Sequence, residues 1–259
     1  MGATVTLWNK QMRKFLANPE EMFGLMIQPV LWVVLFGVGM KSMLSADAPG
    51  SGDPYVTFML PGIAVLSALG GAIGGGSVWL TERLRGLVKE YLVAPISRLS
   101  ILMGNALSTL TKSMFQAIII LLVGVILGAK LRSNPLGWLG GLMLIAGFGL
   151  GFSGIALSLA SQTDNPGAYH AMIMVLNLPL LFLSNALYPL ATMPAWMRIG
   201  SLLNPTTYAI DGLRQMMFQD PGTLPGSDVL PLWLCWVVVL AFATAGMWMA
   251  HSAFRKSIE

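Results

Sequence analysis

The sequence has few charged residues and a single cysteine. Charged side chains make up 10% of its 259 residues, against about 25% in an average soluble domain. Hydrophobic residues account for 55%, and the mean hydropathy is +0.72. One cysteine, Cys235, cannot build a disulfide framework or a metal cluster by itself. The composition therefore argues against a soluble globular or disulfide-rich protein and predicts a membrane protein.

The sequence also lacks the motifs of nucleotide hydrolysis. No G-x-x-x-x-G-K-[ST] pattern occurs, and no other glycine-rich loop precedes a lysine placed to reach phosphates. All eleven Asp and Glu residues fall at the ends of apolar stretches or between them, whereas ion-coupled carriers commonly place ionisable groups at mid-membrane. We therefore expect a chain that does not hydrolyse ATP itself and is not a secondary transporter. We predict no catalytic residue, no metal site and no nucleic-acid partner.

Six stretches are long and apolar enough to cross a bilayer as helices. They cover residues 21–42, 55–80, 103–129, 136–160, 168–189 and 230–252. The short connections between them leave no room for a soluble domain with its own core. The sequence therefore predicts an all-α polytopic membrane protein with six transmembrane helices in a single transmembrane domain over residues 1–259.

The first two spans carry start signals. Asn18-Pro19-Glu20-Glu21 places a capping side chain, a first-turn proline and two carboxylates where a helix N-terminus prefers them, and Asp53-Pro54 repeats the cap and the proline. Ahead of them, residues 1–20 set Trp8 and Phe15 on an apolar face opposite basic residues. This pattern predicts an amphipathic helix that lies in the membrane interface.

Basic residues indicate on which side of the membrane the termini lie. Six spans put both termini on one side, and segments 1–20, 81–98, 161–167 and 253–259 hold nine Lys and Arg residues against five on the opposite side. The positive-inside rule therefore predicts cytoplasmic termini. Lys112 falls within the third span, and we interpret it as an interfacial anchor.

One short string raises an enzymatic alternative. Gly151-Phe152-Ser153-Gly154 matches the G-x-S-G of rhomboid-type intramembrane serine proteases, for which His170 and His251 would be the candidate bases. The second span lacks the histidine and asparagine that rhomboids use around their oxyanion. We therefore interpret Ser153 as a small packing residue and keep the protease as an alternative.

Residues 81–98 form a charged amphipathic segment between the second and third spans. Read as a helix over 81–95, it puts Leu84 and Leu87 on an apolar stripe, and Pro95 ends it. Such a helix either rests on lipid headgroups or fits a groove in another protein. The residues alone leave both possibilities open.

Residues 182–216 are too interrupted to span and too apolar for an ordinary solvated loop. Pro189, Pro194 and Pro205 break the stretch, whose composition is typical of short helices that dip into the outer leaflet. We predict an external re-entrant segment over 190–220, with a hydrophobic plug over the outer mouth as the alternative.

Together these two segments resemble the permease subunit of type 2 ATP-binding-cassette (ABC-2 type) transporters, in the drug-resistance, nodulation and polysaccharide export group. The first carries the pattern E-R-x-x-G-x-x-x-x-L-x-x-P at Glu82, Arg83, Gly86, Leu92 and Pro95. The second carries Tyr188-Pro189, Pro194, Asn204-Pro205, Tyr208 and Gly212. The length, the predicted spans, the cytoplasmic termini and the amphipathic first helix agree with this resemblance.

The resemblance implies that the helix over 81–95 is a coupling helix docked on a separate cytoplasmic ABC ATPase subunit. The residues it assigns to this coupling are Glu82, Arg83, Gly86, Leu87, Glu90, Leu92 and Pro95. It also implies a complex of two ATPase subunits with two copies of this chain. ATP and Mg would then be bound by the partner subunit, and this chain would bind no cofactor.

The resemblance further implies an export path between the two copies, lined mainly by spans one, two and five. The candidate path residues are Phe23, Trp32, Phe36, Phe58, Asn177 and Asn185. The candidate residues of the external gate and re-entrant segment are Tyr188, Pro189, Pro194, Asn204, Pro205 and Tyr208. Each path residue taken alone also fits a lipid-facing or internal packing role.

These expectations combine into an exporter in a bacterial inner membrane. The apolar path favours a hydrophobic or amphipathic compound, drug-like or lipid-like, that leaves the cytoplasm or inner leaflet by alternating access at the dimer interface. An exporter of lipid-linked polysaccharide is the alternative inside the class. An intramembrane serine protease and a channel are the alternatives outside it.

Overall fold

The computed structural model describes residues 2–44, 54–87, 98–129, 131–132, 134–187, 189–218 and 230–256. Its helices are α1 Gly2–Leu16, α2 Pro19–Leu44, α3 Pro54–Leu84, α4 Arg98–Ile126, α5 Pro135–Gln162, α6 Pro166–Phe182, a 3₁₀ turn Leu190–Thr192, α7 Ala195–Leu203, α8 Pro205–Met217 and α9 Leu232–Lys256. Extended backbone pairs in this described part only at an antiparallel bridge between Leu131 and Phe218. The predicted all-α class is confirmed for these residues.

Four of the described helices are long and apolar enough to cross a membrane. They are Val56–Leu84, Ser100–Ile126, Pro135–Gln162 and Leu232–Ala253, which match the second, third, fourth and sixth predicted spans. The first and fifth predicted spans coincide with α2, of 26 residues, and α6, of 17 residues. The count of six membrane crossings stays a prediction.

Asparagine–proline steps begin several of these helices. Asn134 Oδ1 accepts the Leu136 N–H at the start of α5, and Asn165 Oδ1 accepts two N–H groups at the start of α6. Proline follows each cap at the first helical position, where its missing N–H costs nothing. The predicted starts of α2 at Pro19 and of α3 at Pro54 are confirmed.

Helices α5 and α9 pack with their backbones in close contact. A Cβ atom placed on Gly154 would lie 2.1 Å from the Gly246 carbonyl, and one placed on Gly246 would lie 2.1 Å from the Gly151 oxygen. Only glycine permits this approach, since any Cβ would overlap the facing backbone. The glycines of α5 therefore pack inside one subunit.

The N-terminal helix α1 is held against α4 by polar contacts. Trp8 Nε1 donates to Thr111 Oγ1 at 3.0 Å, and Ser108 Oγ donates to Gln11. Helix α4 also contacts the start of α2, because Lys112 Nζ of α4 lies 2.6 Å from Glu21 Oε1 of α2. Lys112, interpreted from the sequence as an interfacial anchor, is thus mostly buried in an internal ion pair.

Candidate functional site

Helices α2, α3 and α6 surround a cavity of about 210 Å³. These helices are the first, second and fifth predicted spans, and α4 adds Gln116 to the wall. Among the described residues that line the cavity none is charged, and six of the fourteen are leucine or isoleucine. The lining includes Trp32 and the polar residues Gln28, Ser67, Gln116 and Asn177.

The proline in α2 explains one polar contact of this cavity. In an uninterrupted helix the Leu25 carbonyl would accept the N–H of the residue four positions on, but that residue is Pro29, which has none. Gln116 Nε2 donates to this freed carbonyl from α4. Gln116 is 4% exposed, and its Oε1 has no hydrogen-bond partner among the described residues.

The cavity opens to the protein surface along one edge of α2. Gly24 and Gln28 contribute to its lining and are both exposed. The neighbouring face of α2 is apolar and exposed as well, with one large side chain every four residues. These side chains are Phe23, Ile27, Leu31 and Leu35.

The six candidate path residues separate into different environments. Trp32 and Asn177 line the cavity, whereas Phe23 is 71% exposed. Phe58 and Asn185 are buried outside the cavity, in a polar cluster described next. Phe36 lies in α2, and its side chain is outside the described residues.

A buried ion pair organises that polar cluster. Arg214 Nη1 donates to Asp211 Oδ1 at 2.8 Å, and both side chains are 3% exposed. Asn185 donates to the same carboxylate at 2.6 Å, and the Leu230 N–H donates to its other oxygen at 3.1 Å. The guanidinium also donates to the Phe58 carbonyl at 3.1 Å and lies 4.4 Å from the Phe58 ring centroid.

The cluster ties together chain segments that are remote in sequence. Its members come from the start of α3, the turn after α6, α8 and Leu230 just before α9. In the sequence, Asp211 and Arg214 fall between the fifth and sixth predicted spans, where they count only as charges of a connecting segment. Their spacing of three residues in a helix, within an otherwise apolar stretch, is the signal that could have identified the pair.

The segment predicted as re-entrant consists of short helices, at α7 and α8. Pro194 precedes α7 and Pro205 begins α8, while Pro189 precedes the 3₁₀ turn. Asn204 caps two helices at once, because its Nδ2 donates to the Leu180 and Leu183 carbonyls of α6 and its Oδ1 accepts the N–H at the second position of α8.

Two further candidate gate residues, Tyr188 and Tyr208, and one exposed face of α7 belong to this segment. The Tyr208 hydroxyl donates to the Leu202 carbonyl at 2.8 Å, and Tyr188 lies outside the described residues. Helix α7 exposes Trp196, Ile199 and Leu203 on one face. An apolar face of this kind is typical of a helix in contact with a membrane interface.

The segment predicted as one coupling helix over 81–95 is interrupted by a turn near its start. Residues 81–84 are the last turn of α3, and the chain turns at Arg85 and Gly86. Gly86 adopts φ +80°, a left-handed conformation that ends helices and that glycine adopts without strain. The structure therefore departs from a continuous helix over 81–95. Glu90, Leu92 and Pro95 lie outside the described residues.

Glu82 and Arg83 both make contacts inside the subunit. Glu82 is 8% exposed and lies 3.9 Å from Lys10 Nζ of α1. Arg83 donates to the Ser161 and Thr163 carbonyls and to the Asp164 carboxylate. These contacts fix the end of α3 to α1 on one side and to the α5–α6 connection on the other. Leu87 follows the turn and is half-buried.

The serine of the protease-like string has no catalytic surroundings among the described residues. Ser153 is 1% exposed, and its hydroxyl has no hydrogen-bond partner there. His170 packs against the Tyr169 ring, and His251 is an exposed residue near the end of α9. Neither histidine is within hydrogen-bond distance of Ser153. No three His, Cys, Asp or Glu side chains of the described residues cluster closely enough to hold a metal ion.

Comparison with known proteins identifies the family. Residues 2–218 match the ABC-2 type transporter family. The transport permease ycf38 of Cyanophora paradoxa is 36% identical over 205 residues, which are 76% of this chain and 68% of that protein. The daunorubicin resistance ABC transporter permease DrrB1 of Streptomyces coeruleorubidus is 24% identical, over 86% of this chain and 77% of its own length. This chain therefore belongs to the ABC-2 type transporter permease family.

Proposed function

We propose that this chain is the membrane-spanning subunit of an ATP-driven exporter of hydrophobic or amphipathic compounds. The observation that carries the proposal is the uncharged cavity between α2, α3 and α6. A charged group loses several kcal/mol of hydration when it enters such surroundings without a partner. The cavity therefore favours drug-like or lipid-like cargo over a charged molecule.

The names of two relatives support a drug-like cargo. One of them is named for daunorubicin resistance and another, from Mycobacterium tuberculosis, for doxorubicin resistance. An exporter of lipid-linked polysaccharide is the alternative within the class. A cavity of about 210 Å³ is smaller than the sites of about 300–1,000 Å³ that hold whole drug-sized ligands, so for a drug and for a glycan alike a second copy would have to complete the path.

We place a second copy of the chain against the exposed face of α2. Phe23, Ile27, Leu31 and Leu35 form an apolar surface beside the edge where the cavity opens. A dimer that covers this face would put two cavities next to each other along the interface. Alternating access then means that the cavities open first to the cytoplasm or inner leaflet and afterwards to the outside.

The ATPase is a separate protein in this proposal. Two cytoplasmic ABC ATPase subunits bind ATP and Mg, and the segment after Gly86 docks on them. Glu82 and Arg83 anchor the end of α3 to the rest of the subunit, so a force applied after Gly86 reaches the membrane helices. Both termini lie in the cytoplasm, and the protein resides in a bacterial inner membrane.

The first experiment is gentle purification of the tagged chain from its native membrane. We expect an ATPase subunit in roughly equimolar amount and vanadate-sensitive ATP hydrolysis. A permease band alone, under conditions that keep known ABC complexes intact, would refute the proposal. Function without ATP would favour a channel, and loss of function in Ser153→Ala would favour a protease.

A pair of arginine variants tests the coupling. Arg83→Ala removes the contacts to the α5–α6 connection, whereas Arg85→Ala changes an exposed arginine two residues away. We expect Arg83→Ala to retain the ATPase subunit but to lose most transport per ATP hydrolysed, and Arg85→Ala to transport normally. Normal transport in a folded Arg83→Ala protein would refute the anchoring role.

A further inference from the structure

A second space, separate from the cavity, lies between the C-terminal ends of α5 and α9. Its volume is about 550 Å³, within the range of about 300–1,000 Å³ that is typical of small-molecule sites. The polar and aromatic residues that line it are Ser158, Ser161 and Gln162 of α5 and Trp248 and Ser252 of α9. We call this space the α5–α9 groove. It shares no lining residue with the cavity between α2, α3 and α6.

The α5–α9 groove lies at the ends of two helices that are long and apolar enough to cross a membrane. These apolar stretches of α5 and α9 end at Gln162 and Ala253. Helix α9 exposes Trp233 near its start and Trp248 near its end, and the two are separated by about 22 Å along the helix axis. Exposed tryptophans at both ends of a span are typical of the two membrane interfaces. The groove is therefore at the depth of lipid headgroups.

Hydrogen-bond donors of the groove can be reached from outside the protein. Trp248 is 70% exposed and Ser252 is half-buried. The two residues are four positions apart in a helix, so the indole N–H and the hydroxyl lie next to each other on one face of α9. On the opposite wall, Gln162 Nε2 donates to Ser158 Oγ at 3.1 Å, which holds the exposed amide in place. Two adjacent donors fit an acceptor with several oxygens, such as a phosphate group.

The charges around the groove favour an anion. None of its described lining residues is acidic. Arg255 and Lys256 belong to the last turn of α9, three and four positions after Ser252. Asp164, which follows the end of α5, is already paired with Arg83. Basic residues at the end of a membrane-spanning helix attract anionic lipids to the membrane surface beside them.

We propose that the α5–α9 groove binds the headgroup of one anionic phospholipid. The phosphate oxygens accept hydrogen bonds from Trp248 and Ser252, and the acyl chains lie along the exposed apolar face of α9. The bound headgroup is then beside the last turn of α5, where the Ser161 carbonyl accepts a hydrogen bond from Arg83. This lipid is distinct from any cargo, because its site is outside the cavity between α2, α3 and α6.

The first test compares two phospholipids on the purified and delipidated chain in detergent. Phosphatidylglycerol, which is anionic, and phosphatidylcholine, which is zwitterionic, are titrated separately, and native mass spectrometry counts the lipids bound. We expect the first phosphatidylglycerol to bind roughly five- to thirtyfold more tightly than the first phosphatidylcholine, since each basic residue near the headgroup contributes about fivefold.

A pair of double variants locates the binding site. Trp248→Leu/Ser252→Leu removes both donors and should weaken binding of the first phosphatidylglycerol roughly tenfold or more, because hydrogen bonds to a charged acceptor are the stronger ones. Trp233→Leu/Thr244→Leu makes the same kinds of change on exposed positions of α9 outside the groove. The Thr244 hydroxyl already donates to the Leu240 carbonyl of its own helix. This control should leave binding of the first lipid nearly unchanged.

Equal binding of the two phospholipids by the wild-type chain would overturn the inference. This comparison needs no variant, so a double variant that fails to fold does not remove the test. Equal losses of phosphatidylglycerol binding in the two double variants would also overturn it, because unspecific lipid contact along α9 would then account for the binding.

Purification of the whole complex distinguishes a lipid in the groove from a protein. We expect the Trp248→Leu/Ser252→Leu chain to retain the same partner subunits as the wild-type chain. Loss of a partner subunit together with unchanged phosphatidylglycerol binding would assign the groove to a protein and overturn the inference. The lipid measurements use neither ATP nor transport, so their result is independent of whether the chain is an exporter.

Discussion

Replacing either partner of the buried pair Asp211–Arg214 should strongly destabilise the folded protein. In Asp211→Asn the guanidinium keeps its position but loses its counter-charge. Arg214 is 3% exposed, and the carbonyls of Phe58 and Asn185 remain as its acceptors. Breaking one partner of a buried pair costs about 3–5 kcal/mol, because the other charge stays uncompensated.

A second single variant and the double variant distinguish the cost of leaving one buried charge unpaired from the net contribution of the pair to stability. Arg214→Met leaves the Asp211 carboxylate with two neutral donors, Asn185 and the Leu230 N–H. The double variant Asp211→Asn/Arg214→Met removes both charges and keeps similar shapes. Since replacing both members of a buried pair is often close to neutral, we expect it to recover about 2 kcal/mol or more of the summed single losses.

The assay is equilibrium unfolding of the purified chain in mild detergent, followed by tryptophan fluorescence. Arg132→Met serves as the control because Arg132 is exposed, and such substitutions stay within about 0.5 kcal/mol. Single variants that each cost less than about 1 kcal/mol, with an additive double variant, would refute the reasoning. The cluster would then be a solvated contact rather than a buried connection between segments.

Two further predictions concern packing and the first helix. Gly154→Ala should destabilise the chain by about 1–3 kcal/mol or more, because the added Cβ meets the α9 backbone; Gly24→Ala, where nothing lies within 4 Å, should not, and equal thermal unfolding of the two variants would contradict this. Lys112→Met removes the ion pair that holds the start of α2 against α4, so it should speed proteolysis between α1 and α2 several-fold. Lys14→Met, which changes an exposed lysine, should not. Equal cleavage rates in the Lys112→Met and Lys14→Met proteins would refute the role of the pair.

Local chemistry explains which elements could be predicted from the sequence. Apolar length identified the four described helices that are long and apolar enough to cross a membrane, and the proline with its preceding Asn or Asp identified where α2 and α3 begin. Both signals act within a few neighbouring residues, so one sequence displays them directly. The two motif segments were sufficient to predict the family, which the match over residues 2–218 confirms.

The polar contacts inside the protein could not be predicted in the same way. The partner of Gln116 is a carbonyl that becomes available because of Pro29, on a different helix. The charges of Asp211 and Arg214 look like solvated loop residues until α3, α6 and α8 are assembled around them. In each case the hydrogen-bond partner is distant in sequence, and only the packed helices bring it near.

The sequence pattern of residues 81–95 gives no sign that the helix ends before Gly86. The alternation of charged and apolar residues continues through position 86 and predicts one helix over 81–95. A glycine within such a pattern is compatible with a helix but also allows the positive φ that terminates one. The observed φ of +80° shows that the second possibility occurs, so α3 ends before a turn at Arg85 and Gly86.

Helix α3 connects the three regions on which the proposals depend. Near its start, the Phe58 carbonyl accepts a hydrogen bond from Arg214. Its middle forms one wall of the cavity, from Ile63 to Ile73, and its end carries Glu82 and Arg83. A 31-residue helix is about 46 Å long, enough to reach from one membrane face to the other. If the segment after Gly86 docks on the ATPase subunit as proposed, a force applied there would act on the cavity and on the buried ion pair through the same helix.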